Sequence, residues 1–432
     1  MKKGMIYALI IVFLVIVLVV MLYLSLNDNS TSNNYLEENN GSSISSTSTN
    51  ENKITVSGKV YSASNLFTDR DLEQTADLTD AKSYTLADGE DINITEEGVY
   101  VLKGTAKNVT IYVEAATDAK VQIVLDEVSI TNSDFPCIYV KSGDKIFITS
   151  NGENSLAVTG TFKADGDTNT DGVIFSKSDI TLNGTGTLNI NSTDNGIVGK
   201  DDLKVTGGTY NIIATSKTFE ANDSIRISDG TFNLTAGTDG LHSENEEDST
   251  LGYIYISGGE FSIKAGDDAI HGNSVVQIDD GTFTITAAEA IEGTYIQING
   301  GTINITASDD GINAANKSDS YNPTFEINDG NVTISMGAGD TDGVDSNGDI
   351  IINGGTISVT GNSTFDYDGN GTINGGTVII NGETVDILPN QMMGGRGGHG
   401  TQMNQEDQNF QENQNFQGDQ NFQGGQGRRN NR

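Results

Sequence analysis

The sequence predicts an all-β fold, a right-handed parallel β-helix, and three observations predict it. A phrase recurs along the chain: an apolar-x-apolar step, one polar residue, Gly-Gly-Thr or Asp-Gly-Thr, then a second apolar-x-apolar step. Its second glycine falls at 208, 230, 259, 281, 301, 330, 355 and 376, so the period drifts between 20 and 29 residues. Such a drift marks a solenoid whose repeats stack while insertions loop out. No helical period separates the phrases, which argues against a strand-helix-strand sheet.

Each element of a coil follows from side-chain alternation. Ile254 and Ile256 face one way and Tyr255 the other, and Phe261 and Ile263 flank Ser262 in the same manner, the period-two signature of a half-buried strand. The Gly-Gly between the two steps turns a corner without a Cβ penalty. Stacking coils about 4.8 Å apart aligns Tyr210, Phe232, Phe261, Phe283, Ile303, Val332, Ile357 and Val378 in one internal ladder. A unit of this length is too small to bury a core of its own, so an array of small β domains fits less well. Val109-Thr110-Ile111, Val121 to Leu125 and Ile146-Phe147-Ile148 read as earlier coils. Residues 54–108 are expected to cap the open end of a solenoid spanning 54–390.

The termini differ from this body. Lys2 and Lys3 precede an apolar run from Met5 to Leu24, long enough to cross a bilayer. Residues 1–26 therefore read as a signal anchor, an N-terminal transmembrane helix that leaves the rest of the chain outside. A cleaved secretory signal ending near Leu24-Ser25-Leu26-Asn27 is the alternative. Residues 27–53 form a Ser/Thr/Asn-rich linker, and 391–432, where Gln-Asn-Phe-Gln occurs three times, read as a disordered Gly/Gln/Asn-rich tail. The expected location is the cell surface, with membrane attachment through residues 5–24.

The net charge of −37 excludes nucleic acid as a partner, because phosphate binding needs clustered Lys and Arg. Cys137 is the one cysteine, so no intramolecular disulfide exists, and its apolar neighbours make it a buried thiol.

The placement of the acids says more than their number. Asn195, Asp239, Asp268, Glu289, Asp310 and Asp342 each stand two residues before the apolar residue of a coil, and His242, His271, Glu292, Asn313 and Asp345 stand just after it. Stacked carboxylates about 5 Å apart repel by roughly 1 kcal/mol in water and about 3 kcal/mol at an effective dielectric near 20. Calcium, which takes six to eight oxygens in loose geometry, relieves that repulsion. The alternative is that insertions splay the acids into solvent, where salt screens them. On the first reading Asp239, Asp268, Glu289, Asp310, Asp342 and Asp345 are metal ligands. Asp167, Asn169 and Asp171 start a second oxygen-rich loop, D-x-N-x-D-G. Ser178 in place of the closing Glu leaves a polar turn as the other reading of that loop.

An outward column of Lys204, Arg226, Tyr255, Gln277, Gln297 and Glu326 offers hydrogen-bond donors, cations and a stacking ring. Arg226, Tyr255, Gln277 and Gln297, with His242 and His271, are the candidate carbohydrate contacts. Ordinary strand-surface decoration is the alternative for each. The absence of Trp argues against a flat aromatic platform for crystalline cellulose.

The chain resembles the carbohydrate-binding, cell-surface parallel β-helix proteins of Gram-positive anaerobes, which are similar in fold to polysaccharide lyases. The resemblance spans roughly Ile54 to Leu388 and rests on Val121 to Asn132, Ile180 to Leu188, the Gly-Gly-Thr coils, and the Asp-Gly-apolar turns at Asp239, Asp310 and Asp342. It implies calcium-bearing coils and binding of plant or acidic polysaccharide without established catalysis. Two coils depart from the pattern, carrying Lys217-Thr218-Phe219-Glu220 and Glu289-Ala290.

Three functions fit the sequence. The first is a calcium-dependent binder of acidic (uronate) or plant cell-wall polysaccharide, with no catalytic residue assigned. The second is a calcium-dependent polysaccharide lyase, which needs a Lys or Arg base beside the metal. Arg226, Lys204 and Lys264 are almost the only basic residues in the central coils. The third is a structural surface adhesin, which needs only a rigid solenoid, an anchor and a tail.

Overall fold

The computed structural model describes residues 53–337 and 341–391. The expected signal anchor, the linker up to residue 52 and the tail from residue 392 lie outside the described residues. Among the described residues no helix is long and apolar enough to cross a membrane.

The alternating phrases form short strands, 34 in all among the described residues. Each full coil contributes one strand to each of three ladders. In one coil these are Phe219–Ala221 on a first face, Ser224–Ile227 on a second and Thr231–Ala236 on a third. We call these faces A, B and C. Corresponding positions stack coil on coil in parallel register: Leu241 on Ile270 in face A, Ile254 on Val276 in face B, Phe261 on Phe283 in face C. A closing hairpin between Thr377–Ile380 and Glu383–Val385 is antiparallel.

The internal ladder expected from Tyr210 to Val378 is present, paired step by step on face C. The rings of Phe232, Phe261 and Phe283 stack at 4.5 and 4.4 Å between centroids, tilted by only 3°. Parallel aromatic stacking at this distance requires that each coil repeat the last without slippage. The corner glycines enforce it: Gly281 has φ +131°, and a Cβ there would meet the Phe283 ring at 2.8 Å. At Gly301, with φ +88°, a Cβ would meet the Gly281 carbonyl oxygen at 2.7 Å. Only glycine lets successive corners approach this closely. Cys137 is fully buried, and burial pushes its thiol up to about 12.

Residues 54–108, expected as one cap, divide into two parts. Lys82–Thr85, Ile92–Ile94 and Gly98–Lys107 pair in parallel with the following strands and are the first coils. Residues 54–74 instead run along the outside of face B as a strap that crosses many coils. Ile54 bridges to Tyr321 at one end. At the other, the Gln74 side chain accepts from Gly184 N and donates to Thr206 O, both at 2.9 Å. Between them lie two one-turn helices, α1 (Ala63–Leu66) and α2 (Asp69–Leu72). Thr68 and Asp71 cap α2 reciprocally, satisfying amides that a short helix leaves open.

The strap anchors itself with a few buried groups. Tyr61 stacks on Tyr253 at 4.4 Å, and Phe67 packs against Tyr255. Asp71 is fully buried, 2.6 Å from Lys145 Nζ and 3.6 Å from Lys204 Nζ. A polar, half-apolar ribbon thus covers what alternation alone marks as an exposed sheet face.

A candidate acidic face

Face A carries the rows of acids, and parallel register sets them in line. Just after each apolar residue, Glu220, His242, His271, Glu292, Asn313, Asp345 and Asp366 stack in that order. Asp239, Asp268, Glu289, Asp310 and Asp342 form the second row, three residues before the first-row residue of each coil. Backbone amides tie that row together: Asp268 N donates to Asp239 Oδ1 at 3.2 Å, and Asp342 N to Asp310 Oδ1 at 3.1 Å.

The charge is compensated differently along the rows. In the early coils lysines do it, with Lys200 and Lys217 at 3.0 and 3.7 Å from the Glu220 carboxylate. The coil with Lys217 in place of an acid therefore supplies its own cation.

In the middle, His271 takes over. His242 Nδ1 lies 2.9 Å from Asp239, outside hydrogen-bond alignment, and its ring stacks on His271 at 4.6 Å. His271 Nδ1 is 2.7 Å from both Asp268 Oδ2 and Glu292 Oε2, and Lys317 Nζ is 2.8 Å from Glu292. Burial disfavours the imidazolium of His271, but the two carboxylates outweigh it and hold the group charged up to about 9. Burial likewise opposes ionisation of Glu292, and His271 and Lys317 overcome it. Burial, then the charges of Glu292 and Glu289, push Asp268 up to about 7 although His271 opposes the shift, so Glu292 is the carboxylate that balances the His271 and Lys317 cations. Asp268, His271 and Glu292 lie close enough together to share a metal ion. That donor set mixes nitrogen with oxygen and already faces Lys317, so it suits calcium poorly.

In the late coils Asp310 and Asp345 lack such compensation. Among the described residues no Lys, Arg or His lies within ion-pair distance of Asp310 or Asp345. Burial, then the charges of Glu289, Asp345 and Asp309, push Asp310 up to about 7. Burial, then Asp366 and Asp342, push Asp345 up to about 6. Between the rows, Asn313 Nδ2 donates to Glu289 at 2.9 Å while its buried Oδ1 has no hydrogen-bond partner. Asp342 accepts from the Ser363 hydroxyl. These groups are all oxygen donors, the hard set that calcium prefers.

The remaining expected site residues are placed elsewhere. Asn169 and Asp171 meet at 2.7 Å, with the Asn169 amide donating, while Asp167 is exposed. Their loop lies in the insertion between Glu153–Val158 and Gly172–Ser176, where Asp165 receives the Tyr139 hydroxyl. The outward column on face B is not open. Tyr255, Gln277 and Gln297 have no exposed surface, because the strap lies on them. Arg226 pairs with Asp202 at 2.7 Å and sits over the Tyr253 ring. Lys204 is buried beside Asp71. Alternation correctly pointed these side chains outward, but it carries no information about a segment folding back from more than a hundred residues away.

Lys317 was not singled out in the sequence. It belongs to the 315–323 insertion, and the one available signal is the 29-residue step between Gly301 and Gly330, which gives that coil a loop long enough to reach back.

A family model of carbohydrate-binding domain-containing proteins matches residues 88–294 and 287–391. A carbohydrate-binding domain-containing protein of Acetivibrio thermocellus is 34% identical over 123 residues, 27% of this chain and 43% of that protein. The chain thus spans less than half the length of that relative. Among solved structures, the polysaccharide lyase-like protein from C. thermocellum, as a gadolinium derivative, is 22% identical with a TM-score of 0.41, covering 67% of this chain and 99% of that one.

Proposed function

Because this chain belongs to the family of carbohydrate-binding domain-containing proteins, we propose that it binds acidic, uronate-bearing polysaccharide through calcium held on face A. The observation that carries this reading is the uncompensated end of the acidic rows, where Asp310 and Asp345 are pushed up to about 7 and about 6. Asp310, Asp342, Asp345, Glu289 and the orphaned oxygen of Asn313 would supply the ligands, and their side chains would have to turn toward one another to do so, since among the described residues the one acid and histidine cluster already within metal-sharing distance is Asp268, His271 and Glu292. Calcium supplies charge neutralisation there and open coordination positions for a sugar carboxylate. The chain's own residues do the rest. Parallel register spaces the acids, the Asp342 amide orients Asp310, and His271 and Lys317 offset the Glu292 carboxylate in the adjacent coils.

The protein is further proposed to act at the cell surface, held by residues 5–24. Affinity electrophoresis through polygalacturonate tests the binding reading: calcium should retard the full chain and EDTA should release it. Mobility independent of both polymer and calcium would refute the reading. A rise in absorbance from unsaturated ends would instead identify a lyase.

A further inference from the structure

Two of the chain's three histidines, His242 and His271, stand in the acidic rows of face A. Each follows an aspartate by three residues across one inward apolar side chain, as Asp239-Gly240-Leu241-His242 and Asp268-Ala269-Ile270-His271. The strand Asp268–Ile278 pairs in parallel with Glu289–Ile298, and the register sets Glu292 of the next coil beside His271. Asp268, His271 and Glu292 therefore come together from two coils, and all three are buried. One coil earlier the residue beside His242 is His271 itself, so no carboxylate stands there at the position Glu292 takes.

The contacts of the His271 ring leave one carboxylate oxygen without a donor of its own. A ring nitrogen carries at most one proton. His271 Nδ1 makes its hydrogen bond with Asp268 Oδ2 at 2.7 Å, yet Glu292 Oε2 lies equally close, at 2.7 Å. The other Glu292 oxygen, Oε1, is taken by Lys317 Nζ at 2.8 Å. One nitrogen and two carboxylate oxygens, from three side chains, thus converge within 4.8 Å of one another. Lys317 holds Glu292 through the oxygen that faces away from this convergence, the outer-shell support that orients a metal-ligating carboxylate.

We propose that Asp268 Oδ2, His271 Nδ1 and Glu292 Oε2 form a site for a divalent transition ion, zinc in the first place, separate from the all-oxygen calcium site of the later coils. Imidazole nitrogen together with carboxylate oxygen suits zinc, cobalt or nickel, whereas calcium takes oxygen alone. The ion takes the place of the proton on Nδ1, because a metal binds the neutral imidazole and releases that proton. Bonds of about 2.1 Å to a tetrahedral ion hold ligand atoms about 3.4 Å apart, so each of the two contacts to Nδ1 opens by about 0.7 Å when the ion enters. Three protein ligands leave one position for water. An ion held in this way staples two successive coils through their side chains. The two sites share no ligand, and this one is independent of the polysaccharide reading.

The test titrates the full chain, stripped of metal, with zinc by calorimetry and with cobalt(II) as a spectroscopic probe. Zinc should bind at one equivalent, raise the melting midpoint and resist displacement by a tenfold excess of calcium. Cobalt should give a visible absorption band that one equivalent of zinc removes. His271→Gln and Glu292→Gln should each weaken zinc binding at least tenfold and abolish the band, and the metal-free melting midpoint of each variant separates lost ligation from lost folding. Asp310→Asn with Asp345→Asn should leave zinc affinity within threefold of wild type, as should His399→Gln, which changes the third histidine, outside the described residues. No zinc binding by the wild type, displacement by equimolar calcium, or affinity and band unchanged in His271→Gln would overturn the proposal. Zinc binding lost only in Asp310→Asn with Asp345→Asn would assign the ion to the later coils and would overturn it equally. None of these outcomes bears on polygalacturonate retention in calcium, which tests the other site.

Discussion

Gln277 grips both sides of the Tyr61 peptide: its Oε1 accepts from Tyr61 N at 2.7 Å and its Nε2 donates to Tyr61 O at 3.0 Å. One coil later Gln297 donates to Gly58 O at 2.8 Å. Side chains that appear to be surface decoration thus serve as the partners of a strap whose backbone has no sheet to join. Gln277→Ala should lower stability by about 2–3 kcal/mol, two buried hydrogen bonds and their desolvated partners. Urea unfolding, with proteolysis in the strap as the local readout, checks this.

Asp71 should matter more. Its buried carboxylate faces Lys145 and Lys204, and removing one partner of a buried set costs about 3–5 kcal/mol. Asp71→Ala is expected to release the strap, exposing Tyr61 and Phe67 to protease before the coils unfold. A variant as protease-resistant as the wild type would show that the ion pairs do not hold it.

Arg226, one of the expected sugar contacts, is engaged by Asp202 and Tyr253. Arg226→Ala should change polygalacturonate retention less than twofold and should lower the urea midpoint.

The middle of face A predicts a pH dependence. The folded-state value of His271 is raised to about 9, against about 6.5 in an unfolded chain. A raised basic group contributes stability that is complete below about pH 6.5 and is lost as pH rises through about 9. The loss should reach up to about 3 kcal/mol. His271→Gln should flatten the urea-unfolding profile between pH 6.5 and 9.5.

Much of the fold was legible in the sequence. Period-two alternation and the Gly-Gly corners identified the coils and the internal ladder from Tyr210 to Val378, because both are local properties repeated in register. The acidic rows followed from the same register. Two things were not legible. The strap joins residues 54–74 to coils as distant as Gln297 and Tyr321, and nothing in its own pattern names its partner. The compensation of charge was also hidden, since Lys317 reaches Glu292 from an insertion, while Lys200 reaches Glu220 from the preceding coil and Lys217 from three residues earlier in its own. The row expected to bind metal, from Asp239 to Asp345, is thus graded in its surroundings, with protein cations beside Glu220 and Glu292 and none beside Asp310 or Asp345 among the described residues.

That grading has an unusual consequence. Asp310 and Asp345 have raised values in the folded protein, so without a cation their ionisation opposes folding. Without calcium their contribution to stability should be complete below about pH 4 and be lost as pH rises through about 6 to 7. Asp310→Asn with Asp345→Asn should melt higher than wild type in EDTA at pH 8, by the equivalent of about 1–3 kcal/mol. Calcium should raise the wild-type midpoint, by about 2.7 kcal/mol at a hundredfold excess over its dissociation constant, and should leave the variant unmoved.

The central claim is that one calcium site serves both the protein and a sugar carboxylate, and linkage makes it directly measurable. Calcium titration of the full chain by calorimetry, with and without a saturating galacturonate oligomer, should show tighter calcium binding when the oligomer is present. The oligomer should gain affinity for the protein by the same factor when calcium is present, and Asp310→Asn with Asp345→Asn should abolish both effects. Equal calcium affinity with and without the oligomer, or oligomer binding undiminished after complete chelation, would contradict it.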